Sequence, residues 1–148
     1  MSGSTTGSVG IILDSSILVA FERRRFDFER YLGDHAPPAI AAITAGELLI
    51  GVERANTPER RSRREAFVEN IFDRVKIIPF EMAQARLYAW HFADLTARGE
   101  MIGDRDLQIA VTALSLDFDL ASLNHHEFSR VTGLRMADVS PYLDPLDA

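Results

Sequence analysis

Four acidic residues lie at the edges of hydrophobic segments rather than on plainly solvated faces: Asp14, Glu47, Asp106 and Glu127. A carboxylate on a core face costs free energy unless a cation compensates its charge. No Lys or Arg accompanies these four positions in a matching pattern, so the missing cation is predicted to be a metal ion. This constellation predicts a metal-dependent hydrolase and, among such enzymes, a nuclease.

The first two acids each have a second interpretation as helix caps. Asp14 ends the apolar run of residues 9–13, and ligands bind at the carboxyl ends of parallel strands, but a cap suits this position equally well. For Glu47 in isolation the cap is favoured, because the segment TAGE at residues 44–47 has the spacing of a capping box. Gly51, one turn further on, leaves space in which a substrate or an ion could approach.

Asp106 is the acid that most strongly indicates a function. It continues the apolar stripe that Ile109, Ala110 and Ala113 form on a predicted helix. The helix dipole stabilises an acid in the first turn by about 1 kcal/mol or less, which does not offset desolvation of several kcal/mol. Asp104 is better placed to face solvent as a simple N-terminal acid.

The last acid, Glu127, is identified by its position just after another predicted core strand. Alone it would be an ordinary exposed residue, and Asn124 nearby is a turn or cap residue that could also supply an oxygen ligand. His125 and His126 are adjacent and point in different directions, while His35 and His91 have no partner at metal-ligand spacing. Surface or packing roles are therefore predicted for all four histidines.

Composition restricts the classes of function. The chain has 148 residues, 47% of them hydrophobic and 26% charged, with no cysteine and a net charge of −6. Disulfides and thiolate chemistry are excluded, and nucleic acid would have to be held by local arginine clusters and metal rather than by overall charge. Such clusters lie at residues 23–25 and 60–64, although solvated faces paired with Glu59 and Glu65 are the favoured interpretation. A cytoplasmic location is the default expectation.

The elements that must position these residues alternate between strand and helix. We predict strands at 9–13, 39–43, 75–80, 120–123 and, as an edge strand, 134–139. We predict helices after residue 15, at 26–32 ending at Gly33, from 44 to about 54, from 58 to 72, at 81–98 ending at Gly99, at 104–116 and at 125–130. This alternation predicts one α/β domain over residues 9–148, after a flexible N-terminal tail at residues 1–8.

Four motifs, in their order and spacing, resemble the PIN-domain ribonucleases, in particular toxins of the VapBC toxin–antitoxin type. They are ILDSSILVA, ITAGELLIGV, GDRDLQIAVTAL and LASLNHHEF, and with the segments between them they span everything after the tail. The resemblance implies a three-layer α/β/α sandwich with a mainly parallel sheet of about five strands.

The resemblance also implies an acidic pocket that holds Mg²⁺ or Mn²⁺. Asp14, Glu47 and Asp106 match the family's acids, and Ser16 matches the small polar residue that orders the pocket. The family's fourth acid stands where Asn124 lies here or three residues later, at Glu127. In the expected mechanism Asp14 and Asp106 are the principal ligands, Glu47 and Glu127 bind through water or place a second ion, and a metal-activated water hydrolyses RNA to 5′-phosphate and 3′-hydroxyl ends.

The partners implied by the resemblance are an RNA substrate, a cognate antitoxin and a second copy of the chain in a homodimer. An acidic pocket invites an Arg or Lys of the antitoxin to displace or crowd the metal. Two alternatives remain open at this stage. One is a catalytically inert PIN-like binding module, and the other is a different metal-dependent phosphohydrolase that acts on small phosphoesters.

Overall fold

A single parallel sheet forms the centre of the fold. The computed structural model describes residues 10–145, so the predicted tail at residues 1–8 lies outside the described part. Within residues 10–145 four strands are present: β1 (Ile11–Leu13), β2 (Ala39–Ala41), β3 (Lys76–Ile78) and β4 (Asp119–Ala121). They lie side by side in the order β3-β2-β1-β4, and every neighbouring pair is parallel. β1 is therefore an inner strand, paired with β2 on one side and β4 on the other.

Helices connect the strands, as parallel pairing requires. In chain order they are α1 (Ser15–Glu22), α2 (Phe28–Asp34), α3 (Ala42–Glu53), α4 (Pro58–Phe72), α5 (Met82–Ala97), α6 (Asp104–Leu116) and the short α7 (His125–Phe128), with a 3₁₀ turn at Ser140–Tyr142. Among residues 10–145, no helix combines the length and the apolar composition needed to cross a bilayer.

The two faces of the sheet pack against separate helix layers. Successive side chains of a strand point to opposite faces, and β1 shows this directly. Ile12 packs in a cluster with Ile109 of α6, whereas Leu13 packs in a second cluster with Ile17 of α1. Both β1 side chains are fully buried. The predicted three-layer α/β/α sandwich is confirmed.

The strand count differs from the prediction of about five. The segment 134–139 lies beside β4 but forms only an isolated parallel bridge, between Met136 and Leu120. Leu120 N–H donates to Arg135 O at 2.9 Å, and Ala137 N–H donates to Leu120 O at 2.8 Å. Gly133, with φ of +81°, and the 3₁₀ turn at Ser140–Tyr142 bend the chain on either side, so pairing stops after one residue.

Several other boundaries also differ from the prediction: the strand predicted at 39–43 ends at Ala41, and the helix predicted at 125–130 ends at Phe128. Gly33 was expected to end the second helix, but α2 continues through it to Asp34. The next helix was expected to start at Thr44, but α3 begins at Ala42, directly after β2, with no side-chain cap at Ala41. By contrast, Thr57 caps α4 and Pro58 is its first residue, as predicted.

Candidate active site

The site begins where β1 and β4 end. Leu13 pairs with Ala121 in the register of these strands, and the next backbone N–H, that of Asp14, donates to Ala121 O at 2.9 Å. Asp14 and Ser122 therefore follow neighbouring strands at the same edge of the sheet. In open α/β sheets this carboxyl edge is where ligands bind.

Asp14 is buried, and its carboxylate accepts hydrogen bonds from three serines. Oδ1 accepts the N–H of Ser15 at 2.8 Å, which makes Asp14 the N-cap of α1. Oδ2 accepts the hydroxyls of Ser16 at 2.8 Å and Ser122 at 2.6 Å. Asp14 therefore caps α1, as one of its two interpretations predicted. Capping does not conflict with a functional role, because the same carboxylate is also held in one orientation by the hydroxyls of Ser16 and Ser122.

A chain of hydroxyl and amide groups extends from Asp14 to the segment after β4. The Ser16 hydroxyl accepts the N–H of Leu123, and the Ser122 hydroxyl accepts the N–H of Asn124, both at 2.9 Å. The expected pocket-ordering residue, Ser16, therefore bridges β1 and the β4–α7 connection. Asn124 precedes α7, and its side chain makes no capping bond.

Glu47 has no part in a helix cap. The helix starts two residues earlier than predicted, so Glu47 lies in the second turn of α3. The capping-box interpretation is therefore wrong. Instead, Glu47 accepts a hydrogen bond from Arg105 of α6 at 3.0 Å. Arg105 is well exposed, so this ion pair spans the gap between α3 and α6 at the surface of the site.

Asp106 shows that the acids lie close together. Its pKa is raised from the ordinary 3.8 to about 6, first because burial disfavours the charged carboxylate. The charge of Asp14, a hydrogen bond with Glu127 and the charges of Glu127 and Glu47 raise that pKa further. Burial and the three other predicted acids therefore all disfavour the charged form of Asp106.

The neighbouring Asp104 makes the surface contacts expected of an N-terminal acid. It is exposed, accepts a hydrogen bond from the Tyr88 hydroxyl, and accepts another from Gln108 Nε2 at 3.0 Å. Asp104 also lines a cleft of about 420 Å³, together with Ser15, Glu47, Gly103, Arg105 and Asp106.

Two residues of this site were missed in the sequence. Ser122 was placed inside the predicted strand 120–123, although its position directly after β4 mirrors that of Asp14 after β1. Arg105 stands between two acids, Asp104 and Asp106, and nothing in the sequence indicates that it would reach Glu47 on another helix. The histidines occupy packing or surface positions: His91 is buried with its Nδ1 unpaired, and His125 and His126 are exposed.

The donor set fits a hard divalent cation, although the ligand arrangement is not formed. Within residues 10–145, no three His, Asp or Glu side chains stand close enough together to hold a metal ion. Arg105 binds Glu47 and Asp106 bonds with Glu127, so these carboxyl groups are engaged with other partners. All four predicted donors are carboxylates, and burial together with the charges of the other three raises the pKa of Asp106. A set of hard oxygen donors of this kind suits Mg²⁺ or Mn²⁺.

Comparison with protein families matches residues 11–134 to the PIN domain, a span that includes every residue of the acidic cluster. The chain belongs to the PIN domain family. Ribonuclease VapC1 of Rickettsia felis is 34% identical over 132 residues, which cover 89% of this chain and 98% of that protein. The predicted resemblance to PIN-domain proteins of the VapC type is thereby confirmed.

Solved VapBC structures share the fold. The DNA-bound VapBC of Salmonella typhimurium superposes with a TM-score of 0.78 at 25% identity, covering 87% of this chain and 97% of the matched one. VapBC-5 of Mycobacterium tuberculosis, a member of the VapBC family of toxin–antitoxin systems, gives a TM-score of 0.66 at 25% identity. That match covers 85% of this chain and 93% of the other.

Proposed function

We propose that this chain is a metal-dependent endoribonuclease and the toxin of a type II toxin–antitoxin pair. The observation that carries the proposal is the placement of the acids: Asp14 lies at the carboxyl edge of the parallel sheet, and Glu47 and Asp106 line one cleft. Burial, together with the charges of Asp14, Glu127 and Glu47, raises the pKa of Asp106 to about 6, which supports their proximity. The ribonuclease name of the Rickettsia felis relative supports RNA as the substrate. A carboxyl whose pKa is raised by burial and by neighbouring charges in a cleft is typical of functional sites.

In this proposal Asp14 and Asp106 are the principal ligands of Mg²⁺ or Mn²⁺. When bound, such an ion stabilises the negative charge that develops on a phosphodiester during hydrolysis. Ser16 and Ser122 hold Asp14 in one orientation before any ion arrives, which reduces the entropy lost on binding. Asp106 must give up the proton that it holds below about pH 6 before its carboxylate can act as a ligand.

We assign the fourth acidic position to Glu127 rather than to Asn124. Glu127 bonds with Asp106 and raises its pKa, so its carboxyl group reaches the cluster. Asn124 contributes its backbone N–H to Ser122. Glu47 and Glu127 are proposed to bind the ion through water or to place a second one, with Glu47 leaving Arg105 when it does so.

The proposed partner is a cognate antitoxin. The Mycobacterium tuberculosis neighbour belongs to the VapBC toxin–antitoxin systems, which supports a partner of this kind. A cluster of four carboxylates is complementary to a guanidinium group, and an arginine of the partner entering the cleft would compete with the metal for the same oxygens.

We also propose a homodimer, which the family resemblance implies. Met82 is 63% exposed and Trp90 is 57% exposed, so large apolar side chains are available on α5. Light scattering of the purified chain should give the mass of two copies, and Trp90→Glu should reduce it towards one. A wild-type mass of one copy at micromolar concentration would contradict the proposal.

RNA cleavage by variants of the acidic cluster tests the enzymatic proposal. Wild-type protein should cut single-stranded RNA with Mg²⁺ or Mn²⁺ present and lose this activity in EDTA. Asp14→Asn and Asp106→Asn should each lower the cleavage rate by at least a hundredfold, because each removes a proposed ligand. The matched control is Glu69→Gln, which neutralises an exposed acid of α4 outside the cleft and should cut at the wild-type rate.

Calorimetric titration with Mn²⁺ separates this proposal from the alternatives. Saturable binding by wild type, lost in Asp14→Asn, supports a metal-dependent enzyme, whereas no binding by wild type supports an inert PIN-like module. Hydrolysis of a small phosphoester with no cleavage of RNA would instead indicate another metal-dependent phosphohydrolase. Wild-type rates of RNA cleavage in Asp106→Asn would remove that residue from the ligand set.

A further inference from the structure

A pocket with several arginines lies beside the acidic cleft, and we propose that it binds phosphate groups of the RNA strand next to the cleavage site. This inference rests on the proposed function and identifies where the chain would hold its RNA substrate. The pocket, called the basic pocket below, measures about 630 Å³. It is lined by Glu22, Gly51, Arg54, Ala55, Arg60, Arg63 and Arg64.

The basic pocket concentrates positive charge on a chain that is acidic overall. Four arginines and one glutamate give it a formal charge of +3, whereas the whole chain carries −6. Arg64 is paired with Glu22, and Arg60 donates to the neutral Asn56 at 2.8 Å. Within residues 10–145, Arg54 and Arg63 have no carboxylate within ion-pair distance, so their guanidinium groups are available to a ligand.

Several other arginines within residues 10–145 are paired with carboxylates or lie beside them. Arg61, in the middle of the same sequence cluster, pairs with Glu53 at 3.1 Å and with Glu65 at 3.6 Å, so it follows the ordinary pattern of a solvated helix face. Arg24 and Arg25 line a different cavity together with the acids Asp27, Glu29 and Asp144. Uncompensated charge is therefore a property of the basic pocket and not of every arginine cluster.

Two helices lead from the acidic cleft to the basic pocket. α1 starts at its cap Asp14, in the acidic cluster, and ends eight residues later at Glu22, in the basic pocket, which is a distance of about 12 Å. On α3, Glu47 and Gly51 are four residues apart, so they lie on one face and are separated by about 6 Å along the axis. A strand of RNA in the cleft can thus pass directly over the basic pocket.

Gly51 contributes to the shape of the pocket rather than to the metal site. A Cβ at this position would lie 3.6 to 3.9 Å from the side chain of Arg64, which is ordinary contact. The space predicted beside Gly51 therefore opens towards the arginines of α4. Because Gly51 has no side chain, the part of the basic pocket next to Arg64 stays open.

Phosphate is the ligand chemistry that the arrangement favours. The planar guanidinium of arginine forms two parallel hydrogen bonds with a phosphate, and several arginines without acidic partners are typical of phosphate contacts. Such contacts position the strand and carry no sequence information. An acidic segment of a protein partner is the competing ligand, and the continuity with the acidic cleft favours RNA.

Binding of RNA without cleavage tests the inference directly. A fluorescein-labelled single-stranded oligoribonucleotide is titrated with protein in EDTA, and anisotropy is measured at several salt concentrations. Arg54→Ala combined with Arg63→Ala should weaken binding roughly tenfold and lower the slope of log K against log salt by about 0.7 for each phosphate group that is no longer bound. Arg54→Lys combined with Arg63→Lys should lie between wild type and the alanine variant, since it keeps the charge and removes the paired hydrogen bonds.

The control removes two cations elsewhere. Lys76→Ala combined with Arg86→Ala changes the net charge equally at two exposed positions outside the pocket, and it should bind RNA like wild type. Equal weakening in both double variants would show that only net charge matters and would overturn the inference. The inference would also be overturned if poly-glutamate displaced the labelled RNA as strongly as inorganic triphosphate does. That result would indicate an acidic protein as the ligand of the pocket.

Metal titration distinguishes failure of this inference from failure of the proposed function. The alanine double variant should bind Mn²⁺ like wild type and should cleave long RNA with a higher KM and a similar kcat. A wild type that cuts RNA while the variant binds it unchanged would refute the basic pocket alone. A wild type that neither cuts nor binds RNA would refute both proposals.

Discussion

Asp106 holds its proton at a pH where an ordinary aspartate has lost it. The cause is local: burial and three neighbouring carboxylates, with the cation Arg105 engaged by Glu47. The same crowding that would attract a divalent ion therefore destabilises the folded chain when no ion is present.

Asp106→Asn is expected to stabilise the metal-free protein above pH 6. Because the folded-state pKa of about 6 lies above the ordinary 3.8, wild-type stability falls as the pH rises between these values, and asparagine avoids that loss. Asp106 is only half-buried, so screening by solvent reduces the gain to about 1 kcal/mol. Urea unfolding at pH 8 and pH 4 should show the gain at pH 8 only, and an equal gain at both would contradict the electrostatic cause.

Ser122→Ala is expected to lower the free energy of unfolding by about 1–3 kcal/mol. The substitution removes one donor from the buried carboxylate of Asp14 and leaves the N–H of Asn124 without its acceptor. Urea denaturation measures the loss. Ser62→Ala, at an exposed position of α4, is the matched control and should change stability by less than about 0.5 kcal/mol.

The residues of the site were only partly predictable, and the reason is physical. A carboxylate at the end of an apolar run is conspicuous, which is why Asp14 and Asp106 stand out in the sequence. The roles of Ser122 and Arg105 depend on which strands and helices become neighbours, and that information is tertiary. The ligand roles of the four acids stay predictions until metal binding is measured.

At the scale of elements, strong hydrophobic periodicity predicted where helices lie. The residues at helix and strand ends predicted their boundaries less well. α6 runs from Asp104 to Leu116 as predicted, and the residues whose helical spacing predicted it, Ile109, Ala110 and Ala113, are all buried. The start of α3 was misplaced because β2 passes directly into the helix at Ala41, with no capping side chain to mark it. The predicted fifth strand is absent because an apolar run does not encode how many of its residues pair with a neighbour, and here only Met136 bridges to Leu120 of β4.

Two glycines of the helices should respond to alanine in opposite directions. Gly33 lies inside α2 with open space around its Cβ position, so Gly33→Ala should stabilise the fold by about 0.5–1 kcal/mol. Gly99 follows α5 with φ of +67°, a left-handed conformation that alanine adopts at a cost of about 1 kcal/mol. Thermal unfolding should raise Tm for the first variant and lower it for the second, and the same sign for both would contradict these conformations.

At the scale of the whole molecule, metal binding and folding should be coupled. A divalent ion that binds only the folded state at a hundredfold excess over its Kd adds about 2.7 kcal/mol of stability. We expect saturating Mn²⁺ to raise Tm by several degrees in wild type and in Glu69→Gln, and to have no such effect in Asp14→Asn. A shift of the same size in Asp14→Asn would mean that the ion binds elsewhere.

The inner position of β1 has a consequence for protein synthesis. The strand made first needs β4, made near the end, as one of its two neighbours, and Asp14 needs Ser122. A nascent chain still lacking that last strand has an open edge on β1 and no assembled acidic cluster. A ribosome therefore completes the chain as far as Ser122 before the carboxyl edge that holds Asp14 can assemble.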